Sequence, residues 1–229
     1  MTTLTAIVES IMKQIKPHLT DDVDISELWI KEVIHQSRAA LINKKFLSGE
    51  LFNNYYQELE ITTSLLTGIT IGDLHMPFDN VYAVSEIPVL LHKAGKRAID
   101  YFGNIGMSTK HIDYVEFNEF IAYDMHRFGS TETCYTIRSN NVMIRNANGQ
   151  EKWLMRALFA VPTDVLGYDE DTDRYPIDDS DLRSLEIITF QHIAPKLGMP
   201  IDLLNNASDE TRNAPVTQQV KQSEQNEEQ

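Results

Sequence analysis

Little in this chain is suited to covalent chemistry. One of its 229 residues is cysteine, Cys134, which excludes an intramolecular disulfide and a cysteine-rich metal site and fits a reduced compartment such as a cytoplasm. Basic residues are scarce: 20 Lys and Arg stand against 34 Asp and Glu, a formal charge of -14. Affinity for nucleic acid grows with the number of Lys/Arg contacts to phosphate, so this balance speaks against DNA binding as the main task. No apolar run approaches the length that spans a bilayer. The opening residues, Glu9 among them, lack the basic start and apolar block of a signal peptide. A soluble, unexported chain is expected.

Motifs of chemistry are missing too. The stretch Gly103-Asn104-Ile105-Gly106 has neither the third glycine of a dinucleotide loop nor the Lys-Ser/Thr of a P-loop, and no Gly-x-Ser-x-Gly elbow occurs. The seven histidines (18, 35, 75, 92, 111, 126, 192) never stand at the i, i+4 spacing that sets two imidazoles on one helix face. Asp169, Asp171 and Asp173 alternate as in a calcium loop, but Arg174 occupies the glycine position and Ser180 the glutamate position. No metal, cofactor or catalytic residue is assigned. Carboxylates between 164 and 181 leave one enzymatic alternative open, since spacing alone cannot say which of them meet in the fold.

What is present reads as an ordinary globular chain, 42% hydrophobic and 24% charged, long enough for one large domain or two small ones. Leu4, Ile7, Val8, Ile11, Met12 and Ile15 make an apolar stripe on a first helix capped by Thr3 or Thr5. Such a stripe packs on its own domain or serves a neighbouring subunit. The longest helix is expected over Asp24–Leu47, with Asp24 and Glu27 in capping-box spacing and Ser48-Gly49 as its stop. Trp29, Ile30, Val33, Ile34, Ala40, Leu41 and Phe46 form its apolar side. Arg38, Lys44 and Lys45 crowd its second half, where they complement the helix dipole or face an acidic surface on another subunit.

Beyond it, a helical turn carrying Phe52, Tyr55 and Tyr56 precedes a strand, Leu59–Thr63. Short β-like runs follow at Ile69–Ile71, Val81–Val84, Ile87–Leu91 and Ala98–Phe102, separated by turn signals. A loop from Asp113 enters a helix near Asn118 that ends at Gly129. The strongest pattern is a meander: Cys134–Arg138 and Asn141–Arg145, both alternating, are joined through Ser139-Asn140. A third run, Lys152–Val161, is more continuously apolar and is expected to be buried on both faces. Asp178-Asp179-Ser180-Asp181 supplies cap oxygens for a helix from Asp181 to Ile193, with Leu182, Leu185, Ile187 or Ile188, and Ile193 inward and Glu186, Thr189 and His192 outward. From Ala207 to Gln229 there is no aromatic residue, so a polar, disordered tail is expected. The fold class is α+β: residues 1–206 form one unit, helical over 1–57, β-rich over 58–162 as a small antiparallel sheet or barrel-like insertion, and closed by a C-terminal helix over 178–197.

The order of these parts resembles the ring, or head-tail connector, proteins of crAss-like bacteriophages, and more loosely the adaptor and tail-tubular proteins of short-tailed phages. The resemblance rests on Ile34-His35-Gln36-Ser37-Arg38-Ala39-Ala40-Leu41-Ile42-Asn43-Lys44-Lys45, on Ala157-Leu158-Phe159-Ala160-Val161-Pro162, on Tyr175-Pro176-Ile177 and on Pro200-Ile201-Asp202. It implies a structural virion protein without turnover, found in the portal/tail and in the host cytoplasm during assembly. Its partners are itself, as a ring of twelve copies, the portal protein and neighbouring tail rings; genomic DNA passes through the channel, and no membrane is involved. On that reading the candidate subunit-interface residues are Arg38, Lys44, Lys45, Trp29, Ile7 and Ile11. The alternatives are a monomeric adaptor or regulatory protein and an enzyme of unrecognised type.

Overall fold

The computed structural model describes residues 2–18, 25–50, 53–71, 74–84, 86–93, 96–105, 111–122, 132–147 and 149–198; at 18, 69–71, 74–80, 92–93 and 96–97 it describes the backbone alone. Asp24, the end of the helix expected to stop at Gly129, and the tail from 207 lie outside the described residues.

Helix α1 (Leu4–Ile15) begins where the Thr3 hydroxyl accepts the Ala6 N–H. Its stripe of Leu4, Ile7, Val8, Ile11 and Ile15 is buried against α2 (Glu27–Ser48) and α4 (Leu182–Ile193). At about 2 kcal/mol per buried aliphatic side chain, that stripe holds α1 firmly on its own chain. Helix α2 starts at Ser26, whose side chain makes no cap bond, and stops at Gly49, whose φ of 74° a Cβ would strain. Ile30, Val33, Ile34, Leu41 and Ile42 face the helical core, with Tyr55, Leu158, Tyr175, Ile177, Leu185, Phe190 and Ile193 opposite. Ala40, expected on the apolar side, is exposed.

A 3-10 turn at Asn53–Tyr55 leads into β1 (Gln57–Thr62). One residue, Thr63, separates β1 from β2 (Ser64–Ile71), and the two strands belong to different sheets. The first sheet has the order β1-β10-β6, with β10 (Lys152–Ala157) antiparallel to both β1 and β6 (Ile99–Asn104). The second has five strands: β2, β3 (Leu74–Ala83), β9 (Asn141–Arg145), β8 (Cys134–Arg138) and β7 (Asp113–Tyr114), with β7 parallel to β8. A small ribbon pairs β4 (His92–Lys93) with β5 (Lys96–Arg97). Aromatic rings join the two larger sheets: Phe102 of β6 lies 4.4 Å from Tyr135 of β8 and 6.0 Å from Trp153 of β10, centroid to centroid. A third, smaller cluster seats α3 (Phe117–Ala122) on the five-stranded sheet through Phe120, Val81, Cys134 and Met143.

The class is α+β as expected, with the strands in open sheets. The meander expectation holds for β8 and β9 and fails for the third run. β10 leaves that sheet for the other, ends at Ala157, and alternates between buried positions and exposed or half-buried ones. Ile87–Leu91 contributes a single bridge, Leu90 to Phe159, and no strand. Thr189 points inward and is fully buried, because α4 is covered from two sides, by α1 and by α2.

Candidate assembly surface

The basic residues of α2 have three different surroundings. Arg38 sits at the i+4 position from Ile34 and three before Leu41, on the stripe that faces the core, and is fully buried. Its guanidinium donates through Nε to the Pro176 carbonyl at 2.8 Å, through Nη1 to Phe159 at 2.9 Å and through Nη2 to Tyr55 at 2.9 Å. One side chain so ties α2 to the turn before β1, the segment just after β10 and the loop before α4. Burial pulls its pKa below the ordinary arginine value, but a guanidinium remains charged there. One turn earlier, the buried His35 pairs through Nδ1 with the Tyr175 hydroxyl at 2.9 Å. Burial, with Arg38 and Lys31 nearby, lowers its pKa to about 4.

Lys45 reaches Asp181 at 3.0 Å and Glu50 at 3.6 Å, and the hydrogen bond it donates to Asp181 raises its pKa. The Tyr55 hydroxyl donates to the same Asp181 carboxylate. Lys44 is exposed. Trp29 is half-buried, with the Lys196 ammonium 5.4 Å from its ring centre. The expectation that Arg38, Ile7 and Ile11 face another subunit is therefore corrected, since all three lie inside their own chain. Lys45 already has acidic partners at the start of α4 and beyond the end of α2.

Carboxylates of the 164–181 stretch serve the loop's own turns, a helix cap and ion pairs. Asp169 accepts the Asp171 N–H at 2.9 Å, Asp173 accepts the Asp169 N–H at 2.8 Å, and Asp178 accepts the Ser180 N–H at 3.0 Å. Glu170 pairs with Lys31 at 2.7 Å and Asp179 with Arg174 at 2.9 Å. The pKa values of Asp169 and Asp178 are lowered, chiefly by the Asp171 backbone N–H and the Ser180 hydroxyl respectively. That is the direction of a carboxylate held ionised, opposite to the one a general acid needs. Among the described residues no group of three His, Cys, Asp or Glu is placed to hold a metal.

Surfaces remain. A groove of about 330 Å³ runs beside the acidic loop between Gln57, Glu58, Tyr168 and Arg174, with Leu166 on its lip 87% exposed. A second, of about 470 Å³, lies on the five-stranded sheet among Leu66, Ala83, Val84 and Met143, with the exposed Ser64 and Arg138 beside it. Leu65, next to this groove, is 57% exposed. Sequence reading passed over both, because each is assembled from segments distant in the chain. The one local signal was a leucine, Leu166, embedded in an acidic loop.

No helix among the described residues is long and apolar enough to cross a membrane. A search among curated proteins finds no match to the chain. Residues 6–211, spanning both helical and β parts, match phage tail ring protein 2 of crAss-like phages. A match over nearly the whole chain, on a fold whose charged groups serve its own architecture, places it: the chain belongs to the crAss-like phage tail ring protein 2 family.

Proposed function

We propose that copies of this chain close head-to-tail into a ring of the head-tail connector of a short-tailed crAss-like phage, surrounding the channel through which genomic DNA passes. The observation that carries this reading is the family match across residues 6–211, which runs from the first turn of α1 through both larger sheets to the end of α4. A ring of twelve copies matches a dodecameric portal, and the portal protein and adjoining tail rings are its partners. The work is assembly and involves no turnover. A net charge of -14 suits a wall along which DNA slides, since few cations are available to neutralise phosphates.

The test is the mass and shape of the purified chain, alone and mixed with its portal protein, by light scattering and negative-stain imaging. Hollow rings are expected, from the chain alone or formed on the portal. A monomer in both samples overturns the reading.

A further inference from the structure

The β2–β3 hairpin is longer than the sheet that carries it. β3 pairs with β9 only through Val81, Tyr82 and Ala83. Its pairing with β2 continues outward from Leu66 and Val81 through Gly68 and Pro77, Ile69 and Met76, Thr70 and His75, and Ile71 and Leu74. The outer half is a two-stranded ribbon, roughly 17 Å long at about 3.3 Å per residue. Ribbons of two strands alone are marginally stable in water.

Directly opposed positions of an antiparallel pair share a face, and successive positions alternate. Positions 69, 71, 74 and 76 therefore fall on one face of the ribbon and are Ile, Ile, Leu and Met. Positions 70 and 75, on the other face, are Thr and His. Residues 64–83 include Asp73 and Asp79 and no Lys or Arg. At the foot of this acidic, amphipathic ribbon lies the 470 Å³ groove, with apolar Leu66, Ala83, Val84 and Met143 and the cation Arg138. Ser64 and Ala83, which line the groove, are the pair at the foot of the hairpin, and Leu66 lies two residues on, so the ribbon leads away from the groove and cannot turn back into it.

We propose that the apolar face of the ribbon seats in this groove on the next copy of the chain, an inference that rests on the ring reading. Ribbon and groove are different surfaces of one molecule, so each copy gives one ribbon and receives one. Such a heterologous contact ends only by closing on itself. The groove is of the volume that takes a few side chains, and its arginine meets a ribbon of negative sign.

The test uses two full-length variants. In the first, residues 68–79 are replaced by Asn-Gly, a two-residue turn that keeps the Leu66–Val81 pairing; in the second, Ser64→Trp fills the groove from its rim. Each alone is expected to stay monomeric, with unchanged far-UV circular dichroism, where the unmodified chain forms rings. Ile71→Lys, which leaves the backbone intact, is expected to weaken association at least tenfold. Mixed together, the shortened chain and the Ser64→Trp chain have one free groove and one free ribbon between them, and are expected to give a one-to-one dimer and nothing larger. If the shortened chain still closes into rings, or the mixture stays monomeric, the proposal is overturned and the ring reading stands. If the unmodified chain makes no ring, alone or on the portal, both fall.

Discussion

At the scale of single residues, the chain turns on Arg38. Its three carbonyl partners belong to three segments, and removing the donor leaves three buried acceptors unpaired, at about 1 kcal/mol or more each. Arg38→Met is expected to cost about 3 kcal/mol or more in urea unfolding. Arg38→Lys should recover only part, because an ammonium lacks the planar fork that reaches three acceptors at once. A loss under about 1 kcal/mol for Arg38→Met would remove the residue from this role. The burial was legible: positions 34, 38 and 41 share a helix face, but the charge of Arg38 suggested surface where the spacing indicated core. His35 gives a pH dependence. Its pKa falls from 6.5 to about 4 on folding, so between those values the unfolded chain binds the extra proton. Stability therefore declines as pH drops through this window, by on the order of 3 kcal/mol in total. His35→Gln should flatten that part of the pH profile of the unfolding midpoint; an unchanged slope would assign it to other groups.

At the scale of elements, what was legible was local. Alternation, an i, i+3, i+4 stripe and a turn signal located β8, β9, α1 and α4, because each signal sits within its own residues. The turn between β8 and β9 shows why: Ser139 and Asn140 have φ of 47° and 62°, the left-handed pair of a type I′ turn, for which Asn-Gly is the preferred sequence. The double change Ser139→Asn and Asn140→Gly is expected to stabilise the protein by about 0.5–1 kcal/mol, raising the thermal midpoint by about 2 °C. A lowered midpoint would contradict the turn type. The partners of a strand were not legible. Six residues of alternating burial do not specify which sheet receives them, so β10 read as a third meander strand when it pairs with β1 and β6. β7 is two residues long and parallel to β8, too short for any period to register.

At the scale of the whole molecule, charge and composition excluded more than they specified. They pointed away from nucleic-acid binding and cysteine chemistry, while both grooves came from segments that only the fold brings together. The acidic surface makes a prediction of its own: the assembled protein should not retain duplex DNA in an electrophoretic shift at about 0.15 M salt. A salt-sensitive shift would count against a passive channel wall. Thr63 has a wider consequence. It is the single residue between β1 of one sheet and β2 of the other; it is buried, its N–H donates to the Glu151 carbonyl at 2.8 Å, and its hydroxyl accepts the Trp153 Nε1–H at 3.1 Å. With the Phe102, Tyr135 and Trp153 rings, the joint sets how the three-stranded sheet stands against the five-stranded sheet that carries both ribbon and groove. The contact proposed between copies lies wholly within one sheet, so this buried threonine governs how the rest of each copy leans from the circle and not how many copies close it.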